Sequence, residues 1–443
     1  MWPWARPQRI LPATLWCWLA ISLWLTLQPA YASTKRVDNS EQLRQALQHA
    51  EVGDNIHLNA GQYIGQFEIT QAVSLSADKQ AVIDAQGQGS ALRVSSPNVI
   101  INGLTIRNWG RDLYQQDAAV HLAKGADQVQ VKNCQLYGPG FGIFAVDIEQ
   151  PLLSHNQIIG ERQLYTLDRG DGIHLLRVNQ ARVEHNQISW VRDGVYLESG
   201  IDSQVNHNRF SDQQYGIHYM YTKADSAKAN HAVDVDGGYA LMNAYGIKLT
   251  DNFVRGAREF GVLLNLTNDA TIANNVIVDT YDPNASGELL DEGKGIFIYG
   301  ARGNLINANT IGNNQVGLSM AMGGESNVIY ENQFIDNQIQ VKYIGDVCVE
   351  WSHQGRGNYW SDYQGWDLTG NGIGESLHLP NDSLDRLFWL YPEARFLMDS
   401  PVVKLLKWLD NQVQQAAPKG VTDSYPILAP ALVPQIAHLG REE

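Results

Sequence analysis

Residues 205–220 read Val205-Asn206-His207-Asn208-Arg209-Phe210-Ser211-Asp212-Gln213-Gln214-Tyr215-Gly216-Ile217-His218-Tyr219-Met220. Two short stretches of alternating apolar and polar residues are separated by turn-forming Asp and Gly, the pattern of two short strands. The first half follows the rule apolar-x-x-Asn-x-apolar, and the rule returns along the chain. It fits Val99 with Asn102 and Leu104, Leu153 with Asn156 and Ile158, and Val183 with Asn186 and Ile188. The marked positions are Asn102, Cys134, Asn156, Asn186, Asn208, Asn230, Asn252, Asn275, Asn309 and Asn332. Their separations are 32, 22, 30, 22, 22, 22, 23, 34 and 23 residues, a base step of 22 or 23 with three longer steps.

Such a period signals stacked repeats that bury a continuous interior no single unit could close. A leucine-dense consensus and a helical period are both absent between the anchors, so the units predict an all-β right-handed parallel β-helix, one unit per coil. The Asn column has a physical reason, because an amide side chain can satisfy buried turn groups and bond the amide one coil above. Cys134 is expected to fill one such slot as an inert buried thiol. Residues 39–50 read as an amphipathic helix, with Asn39 as cap and Leu43, Ala46, Leu47 and Ala50 on one face, placed to cover the first coil. A second helix is expected from Ser400 and Pro401, with Val402, Leu405, Leu406, Leu409 and Val413 at helical spacing.

With 443 residues, 44% hydrophobic and 18% charged, the chain is neither disordered nor too small for a core. Its formal net charge is −15, which repels phosphate and argues against nucleic-acid partners. Arg6 and Arg9 precede an apolar run from Leu11 to Leu27 and an Ala30-Tyr31-Ala32 small-residue site, the order of a secretory signal cleaved after Ala32. The expected organisation is a signal peptide at 1–32, a capped β-helix at 33–346 and a capping or docking segment at 347–443. Without Cys17, which lies in the signal, two thiols remain, too few for a disulfide scaffold.

Aligned units sort side chains by face. After each second-strand glycine the first and third residues, such as Ile173 and Leu175, should point inward and the second and fourth outward. His218 and Met220 then share the outer face about 6.7 Å apart, with Met242 one coil on, about 4.8 Å from Met220. One imidazole and two thioethers without a carboxylate suit Cu(I) better than hard cations; packing under a loop is the plainer alternative. Asp171 and Asp193, each before an aligned glycine, form a second candidate. A carboxylate pair could hydrolyse glycosides, with Arg169 and Arg192 binding an acidic sugar, although Asp-Gly is also a common turn. The third is Asp367, Thr369, Asn371 and Glu375, alternating oxygen donors on a glycine-rich loop that could wrap calcium. It departs from the EF-hand pattern, and a plain turn is the alternative. The longer steps place insertions around Trp109 to Asp117, Tyr165 to Gly170 and Tyr281 to Glu292, suited to partner contacts.

The Gly216-Ile217-His218-Tyr219-Met220-Tyr221 string, the Asn358-Tyr359-Trp360-Ser361-Asp362-Tyr363-Gln364-Gly365-Trp366-Asp367 segment and the glycine-rich loop after it resemble the NosD family. These are periplasmic accessory proteins of nitrous oxide reductase maturation. The resemblance spans nearly the whole chain beyond the signal. It implies a right-handed coil of the carbohydrate-binding and sugar-hydrolase type and a periplasmic location. It further implies an ABC transporter partner made of ATPase and membrane permease, with copper chaperone and nitrous oxide reductase as further partners in copper supply. On this reading the chain is not an enzyme, and its helix at 400–413, with Lys404 and Lys407 beside the apolar stripe, is suited to docking on the permease, with packing back on the last coil as the alternative. The rival is a secreted polysaccharide lyase or glycoside hydrolase using Asp171 and Asp193.

Overall fold

The computed structural model describes residues 34–285, 291–343, 345, 347–381, 389, 400–414 and 420–430. The expected signal peptide lies outside them. One coil consists of three strands, Gln204–Asn206, Arg209–Ser211 and Tyr215–Met220. The next repeats it with Ser226–Lys228, His231–Val233 and Gly237–Met242. Each strand pairs in parallel with its counterpart one coil on, with Val205 opposite Ala227, Phe210 opposite Ala232 and Ile217 opposite Tyr239. Repetition builds three long sheets of 13, 13 and 12 strands. The architecture is the parallel β-helix that the repeats predict.

Alternation fixes which side chains go inside. Val205, Ile217 and Tyr219 are fully buried and Phe210 nearly so, the Val, Ile and Phe side chains each contributing roughly 1.5–3 kcal/mol against exposure. The glycine column keeps successive coils close: a Cβ on Gly194 would come within 2.5 Å of the Phe210 ring and of the Gly216 carbonyl oxygen.

The Asn column forms an amide ladder. Asn208 Nδ2 donates to the Val183 carbonyl at 2.9 Å and to Asn230 Oδ1 at 3.0 Å. Its Oδ1 accepts from the Asn186 backbone N–H and Nδ2, both at 2.9 Å. Every rung from Asn156 to Asn332 repeats this geometry, and the ladder continues to Asn358. There it ends on a carboxylate: Asp423 Oδ2 accepts from the Asn358 backbone N–H at 2.6 Å and from Trp360 Nε1 at 2.8 Å. Burial pushes the Asp423 carboxyl up to about 6, against the hydrogen bonds that hold it down. Cys134 occupies its expected slot, where burial raises the thiol to about 11 and Asn156 Oδ1 accepts from its backbone N–H; such a thiol is unreactive.

Asn102 is a correction. It pairs with Lys132 and projects from the first sheet, while Leu104 takes the ladder position ahead of Cys134. Gly103, at φ +73°, supplies the left-handed turn between them, and the apolar spacing fitted Val99 two residues out of register with Ile101.

Both ends are closed. Helix α1 (Ser40–Gln48) covers the first coil, with Leu43 and Leu47 buried and Ala46 and Ala50 packed against the core. Its cap is reciprocal, Asn39 Oδ1 accepting from the Gln42 N–H and Gln42 Oε1 from the Asp38 N–H. At the other end Trp360 stacks on Phe334 with ring centroids 4.4 Å apart, and buried Trp351 joins the stack. Helix α2 (Pro401–Gln414) follows, burying Val403 and exposing Val402, Leu405, Leu406, Trp408 and Leu409.

Candidate functional site

The outer face of the third sheet breaks the regularity. Its central column runs His121, Phe144, His174, Tyr196, His218, Ala240, Leu263 and Phe297, each in register with the next. The column points away from the core, as expected, yet His121, Phe144, His174, Ala240 and Leu263 are buried. Neighbouring side chains roof it. Phe144 sits in an apolar cluster with Ala118 and Phe141, flanked by Leu113 from the first insertion. Ala240 and Leu263 form another with Phe260, flanked by Tyr215, Met242 and Phe297. Between these patches lies a polar stretch in which the Tyr196 ring stands 4.8 Å from His174 and 4.6 Å from His218.

Asp171 and Asp193 lie beneath this stretch, and neither is arranged as a hydrolytic carboxylate. Asp171 is fully buried. Arg192 grips both its oxygens at 3.0 and 2.9 Å, His174 Nδ1 lies 2.7 Å from Oδ2, and the Asp193 backbone N–H donates to Oδ1 at 3.2 Å. Burial works to raise this carboxyl, but the His174 hydrogen bond and the Arg192 charge hold it below the usual range. Asp193 is 2% exposed. Burial raises its carboxyl; the His218 contact opposes the shift and the Asp171 charge adds to it. A glycosidase needs both carboxyls open to sugar and water, and these are sealed under their own partners.

The two arginines are equally committed. Arg169 is buried and donates to the carbonyls of Leu164, Arg162 and Asp212, clamping the second insertion. A groove of about 370 Å³ beside it is lined by Arg169, Trp190, Asp212, Asp234, Asp236 and Arg258 among others. Arg258 pairs with Asp236, and a wall richer in Asp than in Arg does not suit an acidic sugar.

His218 differs from His174. Its Nδ1 lies 3.0 Å from Asp193 Oδ2, while its Nε2 is buried without a hydrogen-bond partner among the described residues. Met220 follows two positions on along the same strand and pairs in register with Met242 on the next. Both methionines are half-buried, and Met242 also packs against the Ala240, Phe260 and Leu263 cluster. Among the described residues no three His, Cys, Asp or Glu side chains converge as a metal site, so a ligand set here draws on the thioethers. The arrangement is thus a buried imidazole nitrogen with no hydrogen-bond partner among the described residues, on the same strand as one of two paired thioethers, donor types that as ligands favour soft Cu(I) over hard cations.

The glycine-rich loop is a turn held by its own amides. Asp367 Oδ1 accepts from the Gly370 and Asn371 N–H groups, Oδ2 from Gly372, and Asn371 Oδ1 from Ile373. Those amides hold the Asp367 carboxyl below its ordinary range. Asp367 and Asn371 therefore serve the turn itself, which is the plainer of the two readings expected for this loop.

The sequence reading missed the two Asp–His contacts. Asp171 and His174 are three residues apart, while Asp193 and His218 are 25 apart. That second separation is one coil plus three, a signal the 22-residue register already contained.

A family model described as "Periplasmic copper-binding protein (NosD)" matches residues 154–365, and one described as "Right handed beta helix region" matches 69–225. A "Probable ABC transporter binding protein NosD" of Stutzerimonas stutzeri is 39% identical, over 84% of this chain and 86% of that protein. A protein of the same name from Pseudomonas aeruginosa (strain PAO1) is 37% identical, over 85% and 89%. Among solved structures, a PL6 alginate lyase in complex with a trisaccharide superposes with TM-score 0.54 at 14% identity, over 76% of this chain and 81% of that one. The native GH136 lacto-N-biosidase from Eubacterium ramulus gives 0.51 at 12%, over 73% and 70%. At such identities the likeness shows the fold alone. Identity extending over most of both chains, with the family match spanning the polar stretch of the third sheet, shows that the chain belongs to the NosD family.

Proposed function

We propose that the chain is a non-enzymatic, periplasmic accessory protein that helps supply copper to nitrous oxide reductase, working with an ABC transporter. Copper is cargo here. The observation that carries this reading is the buried Nε2 of His218, without a hydrogen-bond partner among the described residues, near the Met220 and Met242 pair and within the region matching the copper-binding family. One nitrogen and two thioethers hold Cu(I) while rejecting calcium and magnesium, which prefer oxygen. A copper chaperone would load the site and the reductase would receive from it.

The transporter side is read from the relatives' names and from helix α2. Its exposed Val402, Leu405, Leu406 and Leu409, with Lys404 beside them, fit docking on the membrane permease next to anionic lipid, while the ATPase works from the far side. Among the described residues no helix is long and apolar enough to cross a membrane. A Leu405→Asp, Leu409→Asp variant should keep the coil's circular dichroism spectrum and lose co-purification with the permease; retained co-purification would remove α2 as the docking element. The test of the whole reading is genetic. Deleting the gene should leave the reductase made but without its catalytic copper centre, and an active centre assembled at normal copper supply would refute it.

A further inference from the structure

Asp171 and Asp193 occupy equivalent positions on adjacent coils, yet they meet imidazoles in different ways. Asp171 has its oxygens filled by Arg192, by His174 and by the Asp193 backbone N–H. Asp193 contacts His218 through Oδ2 alone, and its Oδ1 is buried without a hydrogen-bond partner among the described residues. Arg192 Nε stands 3.9 Å from Asp193 Oδ2, so its charge is shared weakly with this second carboxyl. The Asp171–Arg192–His174 arrangement is closed and rigid, and through the Asp193 backbone N–H it anchors the residue that faces His218. The Tyr196 and Tyr215 rings pack against the imidazole with centroids 4.6 and 5.3 Å away and restrict its rotation.

A neutral imidazole carries one N–H and one lone pair, and the group that accepts the N–H decides which nitrogen can bind a ligand. Metal-binding histidines commonly give their second N–H to a carboxylate, which fixes the tautomer and strengthens the donor nitrogen. We infer that Asp193 is a positioning residue that accepts the His218 Nδ1–H, so that Nε2 is held as the lone-pair nitrogen offered to a soft metal cation. The inference rests on the copper reading of His218 and assigns the sequence's apparent catalytic carboxylate a different task. It also explains why two buried carboxyls are tolerated here, one neutralised by arginine and one serving an imidazole.

The test uses the mature protein labelled with 15N-histidine, with the His218 signal assigned by its loss in His218→Gln. Apo wild type should show the Nδ1–H tautomer; an Nε2–H tautomer overturns the inference without any variant needing to fold. In Asp193→Asn the amide can donate to Nδ1, which moves the proton to Nε2, as a carboxylate-to-amide change does in hydrolase triads. Cu(I) affinity should then fall about 10- to 100-fold, while Met220→Ala, Met242→Ala weakens binding and leaves the tautomer unchanged. Unchanged affinity in Asp193→Asn with loss in His218→Ala overturns the inference and leaves the copper reading standing. Unchanged affinity in both variants overturns the two together.

Discussion

The amide ladder inside the coil and the central column outside the third sheet are both stacked at one residue per turn, and they are composed on opposite principles. From Asn156 to Asn358 the ladder carries asparagine at every rung, because each side chain must satisfy the rung on either side. The outer column changes residue at nearly every coil, from imidazole to phenyl, phenol and methyl. A repeat needs the first for its structure and nothing in the repeat demands the second. Where a stacked position stops repeating, its residues are free to carry chemistry.

Breaking the ladder should have the largest effect. Asn208→Ala removes the side-chain acceptor of the buried Asn186 N–H and takes one hydrogen bond each from the Val183 carbonyl and from the Asn186 and Asn230 amides, a loss of about 4 kcal/mol. It should appear as a fall in the midpoint of urea unfolding. Removing the carboxylate that ends the ladder, Asp423→Ala, strands the Asn358, Trp360 and Tyr425 N–H donors at about 3 kcal/mol. A smaller loss there than at Asn208 would support the ladder as the more demanding element.

Acidity separates the two regions by sign. His121, in the outer column, is carried down to about 4 by burial, with the Arg93 charge adding to it. As pH falls from about 6.5 towards 4, the unfolded chain takes up a proton that the folded one refuses, so stability drops, by at most about 3 kcal/mol. Asp423 is raised, so its contribution is present in acid and is lost as pH rises through about 6. His121→Phe should flatten the acid limb of a melting-temperature profile and leave unchanged the loss that Asp423 causes as pH rises through about 6. The smallest effect is expected from Tyr196→Phe, which keeps the ring between the two imidazoles and should change stability by about 0.5 kcal/mol or less. A loss as large as that of Asn208→Ala would erase the contrast between ladder and column.

Sequence reading could see whatever repeats. The 22-residue step, the inward pairs such as Val195 and Leu197, the glycine column and the capping helix at Ser40 follow from alternation and turn chemistry, which act locally. Asn102 went wrong for a local reason too, since Gly103 lets the turn form two residues later than the apolar spacing suggested. The candidate site was half legible. Register alone brought Met220 opposite Met242, but the closure of Asp171 by Arg192 depends on a side-chain choice that periodicity does not encode. That closure turns a carboxylate pair that resembles a hydrolase site into a sealed support for two histidines.

The most direct measurement is an anaerobic Cu(I) titration of the purified mature protein beside its Met220→Ala, Met242→Ala variant. The account predicts one tight Cu(I) equivalent in the wild type and at least about a 100-fold weaker constant in the variant, with unchanged circular dichroism; about 2.7 kcal/mol of binding is thereby assigned to the two thioethers. Equal affinity in both proteins would contradict it.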